Sequence, residues 1–194
     1  SDYQLIAFDM DGTLLNIQKE ISPADPLDPL AALAGKTVIL NTGRCPAELE
    51  EYFALFPDLT YVNCVSGALV YNHATKETIY SRTLPADTVK KKADLDLGLD
   101  VELADAETTS LEISTKGIHK GIELSRLCEY LHIPLSQTIV VGDADNDAAA
   151  LQAAGLPVAM ANAKDRIKAL ADVITMQDND HDGCAEVVQK YLLS

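Results

Sequence analysis

The sequence predicts an α/β fold built on a doubly wound parallel sheet, and three observations predict it. Short, continuous apolar runs recur along the chain, helical patterns separate them, and several runs stop abruptly at polar clusters. A strand with one solvated face alternates apolar with polar residues, whereas one covered on both faces by helices stays apolar throughout. In such sheets ligands bind in the crevice beyond the carboxyl ends of the strands. The clusters after Phe8, Leu40 and Val141 are therefore where function is sought first.

Leu5-Ile6-Ala7-Phe8 is the first strand, ending at Asp9, and a helical stretch is expected near 26–34. Thr37-Val38-Ile39-Leu40 is the second, followed by Asn41-Thr42-Gly43 and a helix from Pro46 to Phe56. Tyr61 to Val65 is the third. Between Ser66 and Thr115 the rhythm breaks. Ala68-Leu69-Val70-Tyr71, a turn at Asn72 to Thr75, and Glu77-Thr78-Ile79-Tyr80 read as antiparallel, and Ser110 to Ser114 follows a polar, acidic stretch. A small inserted α+β subdomain is expected over 66–115, dividing a core of 1–65 and 116–194. The core resumes with a helix over 119–132, the strand Thr138 to Val141 ending in Gly142-Asp143, and a helix over 146–153. Strands at Leu156 to Met160 and Ala171 to Ile174, with helices at 164–170 and 184–193, complete it.

The 194 residues suit one domain carrying a modest insertion. A composition 47% apolar and 23% charged is that of a globular protein, not a disordered one. With 30 acidic against 15 basic residues the net charge is −15, a field that repels nucleic acid and anionic membrane alike, so neither is an expected partner. Cys45, Cys64, Cys128 and Cys184 form no C-x-x-C pair and read as reduced, mostly buried thiols. No apolar run approaches a membrane span and no secretory pattern is visible, so a cytoplasmic location is expected.

Chemistry concentrates in two acidic strand ends. In Asp9-Met10-Asp11 the carboxylates are two residues apart, so an extended segment would point both the same way. Gly142-Asp143-Ala144-Asp145-Asn146-Asp147 brings further acids from a second strand end. Two carboxylates about 4 Å apart repel by roughly 4 kcal/mol at an effective dielectric near 20, and three converging acids by on the order of 10 kcal/mol. A hard divalent cation with oxygen ligands removes that cost, and Mg²⁺ suits a site that also binds phosphate. Either cluster alone reads equally well as a solvated turn; the two together do not.

Phe8-Asp9-Met10-Asp11-Gly12-Thr13-Leu14-Leu15 resembles the first motif of the haloacid dehalogenase-like phosphohydrolase superfamily. Asn41-Thr42-Gly43-Arg44 is similar to its second motif, Lys120-Gly121 before a helix to its third, and Gly142 to Asp147 to its fourth. Ala154-Gly155 and Val158 to Ala163 look most like the Cof-type branch. The resemblance implies a Rossmannoid core and a Mg²⁺-dependent phosphatase acting on a small-molecule phosphate ester. It implies Asp9 as nucleophile, forming an aspartyl-phosphate, and Asp11 as general acid and base. Mg²⁺ would sit between the Asp9 carboxylate, the Asp11 backbone carbonyl and Asp143. Thr42, the amides of Met10 and Gly43, Lys120 and Asn146 would hold the phosphoryl oxygens. Asp147 would reach the metal through water or orient Lys120.

Competing assignments stand beside these. Lys116 rivals Lys120, which the motif and its helix-start position favour. Thr42 can equally cap the turn before Pro46. Asp145 is expected to face solvent, Arg44 to pair with a nearby acid, and the four histidines to be surface or core residues. The acidic run from Asp94 to Glu107 reads as a solvated face. Among reaction classes, the acid two residues after Asp9 disfavours a dehalogenase, a P-type pump and a long-lived phospho-acceptor or binding module. A phosphomutase shares that acid, but its cap lies between the first two motifs, where this chain has only 32 residues. The insertion after the third strand matches a type 2 cap, markedly reduced. A reduced cap leaves the crevice open, so either a second subunit of a homo-oligomer covers the site or the substrate is bulky.

Overall fold

The computed structural model describes residues 1–21, 35–54, 59, 61–64, 69–81, 101–104, 112–115 and 120–194. The helix expected near 26–34, Lys116, His119 and most of the acidic run lie outside the described residues. An eight-stranded sheet forms the core, in the order β10-β9-β8-β1-β2-β3-β4-β5. Its strands are β1 (Leu5–Phe8), β2 (Thr37–Asn41), β3 (Tyr61–Cys64), β4 (Leu69–Asn72), β5 (Glu77–Ser81), β8 (Thr138–Gly142), β9 (Leu156–Ala159) and β10 (Val173–Ile174). From β10 through β3 all neighbours are parallel; β3–β4 and β4–β5 are antiparallel.

The apolar runs explain the parallel part. Leu5, Ile6, Ala7 and Phe8 are all fully buried, as are Ile39, Leu40 and Val62. Strands this uniformly apolar need cover on both faces, and helices provide it. On one face α1 (Glu50–Phe53) sets Phe53 edge-on to Tyr71 of β4, at 6.4 Å between ring centroids. On the other, α2 (Lys120–Leu131) brings Tyr130 to Tyr61 of β3, at 6.3 Å. From β1 the chain steps one way to β2 and β3, and later the other way to β8, β9 and β10. The gap between the ends of β1 and β8 is thus the topological switch point, where an open α/β sheet offers its crevice.

Three expectations change. The hairpin β4–β5, expected inside the insertion, hydrogen-bonds to β3 and extends the main sheet. Val101–Ala104 (β6), an acidic stretch not expected as a strand, pairs antiparallel with Glu112–Thr115 (β7) in a separate two-stranded sheet. The helix expected from Pro46 to Phe56 is a 3₁₀ turn over Pro46–Glu48 followed by α1, the turn being closed by the Glu48 carboxylate accepting the Cys45 N–H at 2.8 Å. The remaining helices among the described residues are α3 (Ala148–Ala153), α4 (Asp165–Lys168) and α5 (Gly183–Val187), the last running on into a π-type turn over Val188–Leu192. Cys64, Cys128 and Cys184 are buried free thiols, and Cys45 is half-buried.

Candidate active site

Asp9 and Asp143 follow directly on the buried ends of β1 and β8, at the switch point. Hydrophobic burial of the strands therefore carries two carboxylates inward, Asp9 at 6% and Asp143 at 2% exposure. A third, Asp147, comes from the 3₁₀ turn Asp145–Asp147. Carboxylate oxygens of Asp9, Asp143 and Asp147 lie within 4.8 Å of one another.

Lys120 stands over this cluster from the first turn of α2, wholly buried, and donates to Asp9 Oδ1 at 2.8 Å and to Asp147 Oδ1 at 2.9 Å. The other Asp147 oxygen accepts the backbone N–H groups of Asp143 (3.0 Å) and Ala144 (3.2 Å). Asp147 is therefore fixed on both sides, and it orients Lys120. Gly142 makes room for this: a Cβ there would lie 2.6 Å from the Asp147 side chain. Thr13 Oγ1 donates to Asp143 Oδ1 at 3.0 Å. Asp9 and Asp147 share one lysine and Asp143 lies beside them, so burial and then the charge of Asp147 drive the Asp9 carboxyl well above the ordinary carboxylate range, with Lys120 opposing and Asp143 adding to the rise. An all-oxygen, buried, electron-rich set of this kind fits a hard divalent cation.

Asp11 is elsewhere. The strand ends at Phe8, and Met10 to Leu14 turn rather than extend: the Thr13 N–H reaches Met10 O at 3.2 Å, and Gly12 takes φ +76°, a conformation suited to glycine. The two carboxylates consequently point to different partners. Asp11 accepts both Nε (2.9 Å) and Nη2 (2.8 Å) of Arg44 and lies 3.0 Å from Lys19 Nζ. Burial would raise its carboxyl, but the hydrogen bonds from Arg44 and Lys19 outweigh that and hold it below the ordinary range. The acid expected to pair with Arg44 is thus Asp11 itself.

Thr42 follows β2 and is 1% exposed, and its hydroxyl accepts the Arg44 N–H at 3.1 Å, so it shapes the loop that carries Arg44. Met10 is fully buried, and the backbone N–H groups of Met10 and Gly43 have no partner among the described residues. Asn146 lies in the same 3₁₀ turn as Asp147. Asp145 does not simply face solvent: it pairs with Lys164 at 3.3 Å and with Arg166. His73 stacks on Phe53, His132 is exposed, and His181 is exposed beside Asp178; none of these three reaches the acids.

A clasp around the first loop went unread in the sequence. Asn162 Nδ2 donates to Gly12 O at 2.8 Å, Asn179 Nδ2 to Leu15 O at 2.9 Å, and Asp180 accepts the Ile17 N–H at 2.7 Å. Asn162 belongs to the Val158–Ala163 motif, which was the available signal; Thr13 likewise sits inside the first motif.

Over residues 6–104 and 91–188 the chain matches the haloacid dehalogenase-like hydrolase family. It is 31% identical over 225 positions to a phosphoglycolate phosphatase of Methanothermobacter thermautotrophicus, covering 96% of this chain and 98% of that protein. This chain belongs to the haloacid dehalogenase-like hydrolases. Its motifs are those of the Cof type. Phosphatase YwpJ of Bacillus subtilis is 42% identical over 94 residues, 48% of this chain and 32% of that protein, so the match spans about a third of the relative's length. Among solved structures, a haloalkanoate-superfamily phosphatase from Bacteroides thetaiotaomicron shares the fold with a TM-score of 0.87 at 18% identity, over 99% of this chain and 96% of that one. No helix among the described residues is long and apolar enough to cross a membrane.

Proposed function

We propose that this haloacid dehalogenase-like hydrolase is a Mg²⁺-dependent phosphatase that cleaves a phosphomonoester through an aspartyl-phosphate on Asp9. One observation carries the reading: Asp9 stands at the switch point, bound to Lys120, with two further buried acids within 4.8 Å. The phosphatases among its relatives support it.

Asp9, Asp143 and the Asp11 carbonyl would hold Mg²⁺, whose positive charge would keep Asp9 ionised and offset charge on the phosphoryl oxygens. An Asp9 carboxylate oxygen attacks phosphorus, the bond from phosphorus to the alcohol oxygen breaks, and Asp11 gives that oxygen a proton. Asp11 then takes a proton from water as the water oxygen attacks phosphorus. The bond to Asp9 breaks, inorganic phosphate leaves, and Asp9 is restored. Lys120 holds Asp9 in line, and Asp147 holds Lys120. Thr42, the N–H groups of Met10 and Gly43, and Asn146 receive the phosphoryl oxygens. Asp11 must first leave Arg44 and Lys19, whose hydrogen bonds favour its anion; an arriving phosphate dianion competes for both cations.

The segment between β5 and α2 serves in this reading as a reduced type 2 cap. Supporting it, the alignment with the Methanothermobacter relative is longer than the 194 residues of this chain. Phosphate release from a panel of phosphomonoesters, with and without Mg²⁺ and beside Asp9→Asn, tests the proposal. Mg²⁺-dependent release that vanishes in Asp9→Asn is the expected result. Release that survives the substitution overturns the nucleophile, and release without Mg²⁺ overturns the metal.

A further inference from the structure

Three buried polar side chains take no part in this chemistry. Asn41 is 1% exposed, and Asn63 and Glu123 are 0%. The amide nitrogen and oxygen of both asparagines, and both oxygens of Glu123, have no hydrogen-bond partner among the described residues. Six buried polar atoms are not left bare in a stable core, because each gave up water on folding.

Their placement links them to the site. Asn41 and Asn63 are direct partners across β2 and β3, so both side chains leave the same face of the sheet. Phe8 partners Leu40, which sets Asp9 level with Asn41 at the neighbouring strand end. Tyr61, two residues before Asn63, lies on that face and meets Tyr130 of α2. Glu123 is two helical turns before Tyr130 and thus on the same side of α2. Two turns advance about 10.5 Å and three strand residues about 10 Å, which brings Glu123 to the level of the β3 end. Asp9, Asn41 and Asn63 therefore form a row across three strand ends, with Lys120 over the near end and Glu123 over the far end.

The donor set defines what fits between them. A cation would leave four amide N–H bonds unmet, and an anion would leave the amide and carboxyl oxygens unmet. Water both donates and accepts, and buried water characteristically makes about three such bonds. We propose that Asn41, Asn63 and Glu123 line a buried water-binding chamber beside Asp9, and that the water they share positions the strand ends carrying Asp9 and Thr42. Asn63 already holds the second of these directly, its carbonyl accepting the Thr42 N–H at 2.9 Å. A protonated Glu123 suits the chamber, and burial pushes its carboxyl up to about 7, with the Arg126 charge opposing. Around it, β3 presents Tyr61, the turn before α3 presents Asp147, and α2 itself carries Lys120 and Arg126. On that face β4 presents Val70 and Asn72, and α3 has no titratable residue.

Only the kinetic arm of the test rests on the phosphatase reading. Thermal unfolding of wild type and Glu123→Gln is followed from pH 5 to 8.5 without metal. The folded carboxyl keeps a proton that the unfolded chain releases, so wild type loses stability as pH rises from the ordinary glutamate range to about 7. Expected is a Tm near that of Glu123→Gln at pH 5 and below it at pH 8; a pH-independent difference overturns a protonated Glu123. A high-resolution crystal structure should show water touching all three side chains, and an empty chamber or an ion there overturns the site. Asn63→Leu should lower kcat about tenfold, as losing a group that orients a site's ligands does, with KM little changed and Glu123→Gln active at pH 6. Should Asn63→Leu not fold, Asn41→Ser carries the same comparison. Normal kcat in a folded variant overturns the positioning role, whereas no release from wild type on any ester overturns the phosphatase reading and leaves the stability and crystallographic arms intact.

Discussion

Two carboxylates separated by a single residue live under opposite rules. Asp9 is buried among like charges and shares one lysine with Asp147; Asp11 is a fifth exposed at its side chain and has two cations to itself. The first is pushed toward its neutral form and the second toward its charged form. The proposed reaction needs Asp9 ionised and Asp11 protonated, so in that reading each is held on the wrong side of its task in the resting chain. In the proposed reaction an incoming pair of opposite charges would correct both: a divalent cation for Asp9, and a phosphate group that draws Arg44 and Lys19 from Asp11.

Removing Lys120 should do the most damage. Lys120→Met leaves two buried carboxylates without their cation, costing about 3–5 kcal/mol, read as a lower urea midpoint in metal-free buffer. A loss under 1 kcal/mol would show that the acids are already neutral and would collapse the contrast. Gly142→Ala comes next. The added methyl meets Asp147 at 2.6 Å and displaces it from Lys120, so about 1–3 kcal/mol and a weaker Mg²⁺-induced rise in Tm are expected.

Arg44→Ala acts on the other carboxylate and should cost less, about 1 kcal/mol, because the pair is half-buried. Its sharper signature is in pH. The Asp11 pKa is depressed in the folded state, so its contribution is present above the ordinary aspartate range and lost as pH falls through the folded value. In Arg44→Ala the folded value should rise, and the acid-limb loss expected of the wild type should shrink in a pH series of thermal unfolding. Lys19→Ala should be smallest, about 0–1 kcal/mol, with the same direction of pH change. If Lys19→Ala instead matched Lys120→Met, exposure would not be what separates the two regions.

The parts of this picture written in the sequence are those set by local patterns. Largely apolar runs marked β1, β2, β3, β8 and β9, since burial on both faces favours that composition, with Asn41 and Asn63 as polar exceptions at the ends of β2 and β3. The β4–β5 hairpin was recognisable as a hairpin, but alternation says nothing about which sheet it joins. Val101–Ala104 was hidden because this short run carries Glu102 and lies between Asp100 and Asp105, and because β pairing is a long-range choice. In the site, the acidic strand ends pointed to Asp9, Asp143 and Asp147, and the family resemblance supplied Lys120. The divergence of Asp11 from Asp9 depended on a turn at Gly12, and Glu123 looks in sequence like any solvent-facing helical glutamate.

The clasp around the first loop has a temporal meaning. Gly12, Leu15 and Ile17 are fixed by Asn162, Asn179 and Asp180, residues made 150 or more positions later. On a ribosome the loop bearing Asp9 emerges well before the segment that secures it, and Asp143 and Asp147 also follow late, so the acidic centre is assembled only after most of this sequence has been made. The same long reach makes the late segment a natural fuse: its detachment would slacken the loop while β1, β2 and β8 stay paired.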